Sequence, residues 1–236
     1  MTWSIVARDP SGAFGVAVAT RFFAVGALCP YARSGVGALA TQALINPLYA
    51  RGLDLVADDV PPDEVVKALT TRDDGRDQRQ LHMIDARGRI AAYTGSKCVD
   101  WCGHLMRDGF SVAGNMLAGP RVIEDTAAAF EKTASRPLAE RFMAALEAGE
   151  AAGGDKRGKQ SAALLIYTTE DYPALDLRVD DHDDPLKELR RLYDKSLERY
   201  QPFVSCLPSR DRPSGIFDRT VIEATITRFT ETRDRR

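Results

Sequence analysis

Trp3, Ile5 and Ala7 interleave with Ser4, Val6 and Arg8, a period of two that predicts a strand over residues 2–8. Asp9-Pro10-Ser11-Gly12 has turn chemistry, and residues 14–20 and Gly35 to Thr41 read as two further apolar strands. Connections this short favour an antiparallel sheet. The period then lengthens. Pro47 opens a helix to about Ala57, and a second follows Pro61-Pro62 to near Arg72, with Val65, Val66 and Leu69 on one face. Gln80 to Asp85 and Arg89 to Thr94 form a hairpin around Ala86-Arg87-Gly88, and a short strand at 110–114 runs into Gly114-Asn115. Pro120 begins a helix with the stripe Val122, Ile123, Thr126, Ala127 and Phe130, and Ser135 caps another carrying Leu138, Phe142, Met143 and Leu146. Ser161 to Thr168 is a buried strand, Leu175 to Val179 its neighbour, and residues 185–200 a charged amphipathic helix.

This order suits an α+β fold: two antiparallel sheets packed face to face with helices outside, a four-layer αββα sandwich. Residues 1–206 are expected to form a single domain of this kind. The polar, uneven stretch 207–236 is expected to be a loosely attached, partly irregular C-terminal extension.

Composition removes several alternatives. With 44% apolar and 28% charged residues the chain is an ordinary globular one. Its 32 basic and 34 acidic groups give a net charge of −2, which argues against a nucleic-acid partner. Neither an apolar run of about 18 residues nor a basic-then-apolar leader occurs, so no membrane association is expected. Four irregularly spaced cysteines make no disulfide framework. The expectation is a reduced, cytoplasmic protein, with a homodimer as the assembly that buried strands running on into an interface would form.

Most candidate motifs fail on context. Gly153 to Lys159 spells G-x-x-x-x-G-K, but Gln160 stands where a phosphate-binding loop needs Ser or Thr, and a helix precedes the loop where a strand should. Cys98, Cys102 and His104 offer three zinc-capable groups without a local fourth, so the plain reading is a packed loop anchored by Trp101. His82 falls in a strand pattern and reads as structural; His182, among four aspartates, reads as a solvated turn or ion-pair group. Gly109 to Gly114 misses the nucleophile-elbow spacing by one residue. No cofactor is expected.

Met1-Thr2 remains. Aminopeptidases remove Met1 before a small residue, leaving a threonine hydroxyl and a free α-amine on one Cα, so that nucleophile and base share a residue. Gln42 and Asn46, at a predicted strand end, bind substrate or satisfy the turn before Pro47.

The strings TWSIVARD, GVAVATRFFAVGALCP, ATQALINPLY, IDARGRIAAYTGSKC, GNMLAGP, GGDKRGKQSAALLI and DLRVDDH together resemble the prokaryotic family known as domain of unknown function 1028 over roughly residues 2–190. That resemblance implies the fold of the N-terminal-nucleophile (Ntn) hydrolases. Similarity to that superfamily implies roles residue by residue: Thr2 as nucleophile, Arg21 after the second strand, Arg33 where proteasome β subunits place a lysine, Asn115 at an oxyanion-donating turn, and Asp155 with Ser161 holding the N-terminal amine or contacting substrate. Each has a plain structural alternative, and the acid expected after the second strand is replaced by Ala19-Thr20. The implied activity is cleavage of a non-peptide or small-peptide amide in a small-molecule substrate; the alternative is a non-catalytic binding or scaffold protein on the same fold.

Overall fold

The computed structural model of the protein describes residues 2–234. Its first strand, β1 (Thr2–Arg8), is buried along nearly its whole length, so both faces of the alternating pattern meet protein. β1 lies between β2 (Phe14–Thr20) and β8 (Phe110–Asn115), with β9 (Ser161–Tyr167) and β10 (Leu175–Val179) beyond β2 and β7 (Gly103–Arg107) beyond β8. A second sheet has the order β3 (Pro30–Arg33), β4 (Gly37–Ala43), β5 (Arg79–Asp85) and β6 (Ile90–Thr94). Every pairing in both sheets is antiparallel. The architecture is mixed α+β, with two antiparallel sheets and, among the described residues, seven α-helices.

Three apolar clusters show what each face buries. Trp3, Ile5, Ala7, Ala17 and Val112 on one face of the larger sheet meet α3 (Arg121–Lys132), α4 (Leu138–Ala151) and α5 (Pro185–Ser196) through residues such as Ile123, Phe130, Phe142 and Leu189. Leu39, Leu81 and Met83 of the smaller sheet meet α1 (Gly52–Ala57) and α2 (Pro62–Thr71) through Leu53, Val56 and Val65. Between the sheets lie Val6, Val16, Val18, Ala38, Ala40 and Ile84. Strand side chains alternate between faces, so the even positions of β1 point at the second sheet. Val6 enters the apolar cluster there, and Ser4 bonds to Gln42 and His82 of the opposite sheet.

Several elements differ from the sequence reading for local reasons. The helix expected from Pro47 is a 3₁₀ turn, Pro47–Arg51, followed by the short α1, because Asn46 caps the Leu48 N–H and tightens the first turn. β3 and β7 lacked a sequence signal; β3 is four residues long and begins with a proline, and β7 is an edge strand of mixed exposure. α4 starts after Pro137 with no side-chain cap, so Ser135 does not serve as one. The last predicted helix ends at Ser196, and two more follow, α6 (Tyr200–Val204) and α7 (Arg219–Asp234), bridged by the Arg199–Glu223 ion pair. Among the described residues no helix is long and apolar enough to cross a membrane.

One ionic group fixes the loop after β4. The mostly buried Asp73 carboxylate accepts from Tyr49 Oη at 2.6 Å, Asn46 Nδ2 at 3.0 Å and the Gly75 N–H at 2.8 Å, and pairs with Arg79 Nε at 2.7 Å. Arg79 Nη1 donates to the carbonyls of Leu44 and Ile45. Burial opposes the charge, but the bonds from Tyr49, Asn46 and Gly75 and the Arg79 guanidinium hold the Asp73 carboxyl down to about 2.

A Cβ at Gly15 would collide with the Phe142 ring and crowd the Leu165 carbonyl; Gly15→Ala is expected to lower stability in urea unfolding by about 1–3 kcal/mol. Because the folded pKa of Asp73 lies below the unfolded value of ~3.9, its stabilisation is complete above that value and is lost as pH falls through about 2. Wild type should therefore exceed Asp73→Asn in stability at pH 6, with the gap closing across the acid limb of a denaturation series.

Candidate functional site

At one end of the larger sheet a row of polar residues crosses four strands: Asn115 of β8 pairs with Thr2 of β1, Thr2 with Thr20 of β2, and Thr20 with Ser161 of β9. All four are buried, Thr2 being 4% exposed. Thr2 Oγ1 and Thr20 Oγ1 are 3.0 Å apart, within hydrogen-bond distance. The opposite sheet presents a matching row, Gln42 of β4, Gln80 of β5 and Thr94 of β6.

The two rows are tied together by their amides. Gln80 Oε1 accepts from Gln42 Nε2 at 3.0 Å and from Asn115 Nδ2 at 2.9 Å, while Gln80 Nε2 donates to Thr94 Oγ1 and the Gly114 carbonyl. Gln42 Nε2 and Asn115 Nδ2 each reach the Thr2 carbonyl at 3.4 Å. One step deeper, Ser4 Oγ donates to Gln42 Oε1 at 2.6 Å and so must accept from His82 Nε2–H at 2.8 Å. His82 Nδ1 is then free to accept from Ser111 Oγ at 2.7 Å, which fixes the Nε2–H tautomer. Burial, with a smaller effect of the His104 charge, pushes the His82 imidazole down to about 3. It is a neutral structural linker at physiological pH.

Thr2 opens onto a cavity of about 500 Å³. Its walls are the segments that leave the strand ends: Phe22 after β2, Ala43 to Ile45 from the end of β4, and Met116 after β8, with Val99 and Arg157 opposite. Ala43 and Met116 both adopt left-handed backbone, φ 69° and 53°. Such conformations cost on the order of 1–3 kcal/mol each in non-glycine residues and persist where neighbours over-determine them. Here the Leu44 N–H bonds the Gln78 carbonyl, and the Met116 N–H bonds that of Val99. Cys98 also lines the cavity, but burial, and secondarily Cys102, pushes its thiol up to about 11, and its Sγ donates to the Arg79 carbonyl. It is a thiol and no nucleophile at neutral pH.

The residues picked out from sequence separate into three groups. Thr2, Gln42 and Asn115 come together as described. Arg21, Asp155 and Ser161 sit beside them as a brace: Asp155 accepts from the Arg21 N–H at 2.8 Å and the Arg157 N–H at 2.8 Å, and Ser161 Oγ donates to the Phe22 carbonyl while accepting the Val25 N–H. The Arg21 side chain turns outward to the Arg157 carbonyl. Ser161 therefore shapes the cavity wall without lining the cavity. Arg33 and Asn46 are placed elsewhere. Arg33 pairs with Gly37, at the end of β4 opposite Gln42, and bonds Asp54 and the Leu53 carbonyl; Asn46 is committed to the Leu48 cap and Asp73. Met1 lies outside the described residues.

Sequence reasoning missed Thr20, Gln80 and Arg157 as members of the site. Gln80 and His82 did carry a signal: they share strand parity with Ile84, a polar pair on a buried face. Arg157 carried none, since it lies in an irregular loop. The Cys98–His104 segment is used internally, with Cys102 Sγ directed to the Cys98 carbonyl and Asp100, and His104 Nδ1 on Thr94 Oγ1. His182 accepts the Asp184 N–H through Nδ1, in a turn.

Comparison with known proteins gives the chain a family. The crystal structure of a protein from Silicibacter pomeroyi, itself matched to DUF1028, superposes with a TM-score of 0.85 at 32% identity, covering 92% of this chain and 96% of that one. Anbu, an ancestral β-subunit from Yersinia bercovieri, aligns over 83% of this chain and 94% of its own at 14% identity, with a TM-score of 0.39, too weak to carry an argument. No curated protein matches the chain. The signature of the family of unknown function DUF1028 matches residues 2–189, and the chain belongs to that family.

Proposed function

We propose that this DUF1028 protein is an N-terminal-nucleophile amidohydrolase with the αββα sandwich of that superfamily, cleaving an amide bond in a small molecule or short peptide once Met1 is removed. The observation that carries the reading is Thr2, which lines a cavity of about 500 Å³ with its hydroxyl 3.0 Å from that of Thr20.

In this reading the Thr2 hydroxyl attacks the substrate carbonyl. An Oγ1–C bond forms, and the hydroxyl proton passes to the α-amine, directly or through water. The C–N bond then breaks as the amine returns that proton to the leaving nitrogen, and water hydrolyses the ester left on Thr2. An α-amine ordinarily titrates at ~7.7–8.0, and cations nearby disfavour its charged form. Arg157 and Lys97, which line the same cavity, supply that field; this role passes to them from Arg21 and Arg33. Thr20 holds the nucleophile's oxygen in place. For the oxyanion, the Met116 N–H is already bound to Val99, so the Asn115 amide is the better donor: its 3.4 Å contact to the Thr2 carbonyl is the weak one it would exchange for a developing charge. A donor of this kind is worth about 2.7–4 kcal/mol of barrier.

The second reading, a non-catalytic scaffold, is favoured by one observation. Among the described residues no carboxylate lines the cavity, and Asp155, the acid next to it, is taken up by the Arg21 and Arg157 N–H groups.

Intact-mass spectrometry of the purified protein should give the sequence mass less Met1, and incubation with a β-lactone should add one adduct that maps to Thr2. Retained methionine, or labelling undiminished in Thr2→Ala, sinks the catalytic account. Thr20→Val should slow labelling by about tenfold, the worth of one hydrogen bond of roughly 1 kcal/mol or a little more. Gln80→Met orphans the Gln42 and Asn115 amides. It should lower stability by about 1–3 kcal/mol per unpaired group in urea unfolding and slow labelling of the folded protein.

A further inference from the structure

The cavity beside Thr2 carries a chemical signature on its walls. Phe22, Leu28, Leu44 and Val99 line it while remaining 50%, 39%, 55% and 52% exposed. Large apolar side chains gathered at the mouth of one concave site mark a ligand-binding surface. The charged side chains on the same wall are Lys97 and Arg157, and among the described residues no acid joins them.

The arrangement of the two cations adds direction. Arg157 donates to the Arg21 carbonyl at 3.0 Å and to Asp155 at 3.3 Å, both from Nη2. Nε and Nη1 make no hydrogen bond among the described residues, so the guanidinium of this cavity-lining residue keeps donors uncommitted. Lys97 has only a loose pairing, 3.5 Å to Asp77, with its side chain 70% exposed. A guanidinium edge takes a planar carboxylate through paired N–H donors, and an ammonium adds charge without further geometry.

Building on the amidohydrolase reading of the same site, we infer that its substrates are amphipathic anionic amides: molecules with an apolar body and one carboxylate, of the N-acyl amino acid type. The apolar body lies against Phe22, Leu44 and Val99, and the carboxylate meets Arg157 and Lys97. Cleavage would break the amide C–N bond, transfer the acyl group to Thr2 Oγ1, return a proton to the amino nitrogen and release the acid with one water. Apolar walls hold the acyl body by area, whereas a neutral analogue forgoes the charge-assisted bonds to the cations and a cationic one is repelled by them.

Binding separates this inference from the catalytic reading. With the Thr2→Ala protein, N-octanoylglycine, its uncharged methyl amide and N-acetylglycine are compared by calorimetric titration. N-octanoylglycine should bind at least about tenfold more tightly than either analogue, the charge-assisted pair and the apolar chain each contributing that much. Arg157→Gln should cost the anionic probe about tenfold and leave the methyl amide within about twofold. Lys97→Gln, on an exposed side chain that braces nothing buried, should weaken the anionic probe severalfold in a protein of unchanged stability. Equal affinities for the acid and its methyl amide, or no loss in either variant, would overturn the inference. If N-octanoylglycine binds as expected and wild type does not cleave it or its homologues, the anionic site stands and the hydrolase reading falls. If wild type cleaves amides irrespective of charge, the reverse holds.

Discussion

The buried amide of Gln80 is the contact on which the rest of this structure depends. It accepts from Gln42 and Asn115 and donates to Thr94 and the Gly114 carbonyl, linking strands of both sheets across the interior. A buried polar group left unpaired costs roughly 1–3 kcal/mol, whereas one more apolar contact gains less and tolerates many geometries. The amide chain therefore specifies how the sheets face each other far more tightly than the valines and alanines at the other end of the interface. A one-residue slip of β1 or β5 would send Ser4, Gln80 or His82 into the apolar layer beneath the helices. Such a slip would break the network at several points at once.

The network also explains why the site sits at one end of the sandwich. Between the sheets the filling changes along the strands, from Val6, Val16, Ala38 and Ile84 at one end to Thr2, Thr20, Gln42, Gln80 and Asn115 at the other. The polar end cannot be closed by apolar packing, and the chain segments leaving β2, β4 and β8 open around it as cavity walls. Of their strained residues, Ala43 is held by its pairing with Arg79 and the Leu44 N–H bond to Gln78, and Met116 by its bond to Val99, while Arg79, paired with Asp73, pins Leu44 and Ile45. The walls are thus carried by the rigid sheets together with a few directed bonds. This is an arrangement suited to holding a ligand against Thr2.

Much of the fold was legible because its elements are amphipathic in the ordinary ways. The stripe Val122, Ile123, Thr126, Ala127 and Phe130 is the buried face of α3, and the strand at residues 2–8 lies where its alternation places it. What escaped were β3 and β7, too short or too near an edge to carry a period, and the last two helices, α6 being only five residues long and α7 mostly polar. The site was legible in part. Thr2, Gln42 and Asn115 stand out as polar groups at strand ends. Asn46 stands out equally and serves a cap, because a polar side chain beside a turn looks the same whether it faces a cavity or a backbone N–H.

Taken alone, the sequence determined which residues alternate, which helices carry apolar faces, and that a threonine at the second position begins the first strand. These follow from local spacing, which the chain itself carries. Only the tertiary structure decided which arginine lines the cavity beside Thr2: Arg157, and neither Arg21 nor Arg33. Arg33 lies at the far end of β4 because antiparallel register puts it opposite Gly37, while Arg157, in a loop with no pattern, is drawn in by Asp155 and the Arg21 carbonyl. Register between strands and the docking of loops depend on partners far apart in the chain, and no local periodicity encodes them.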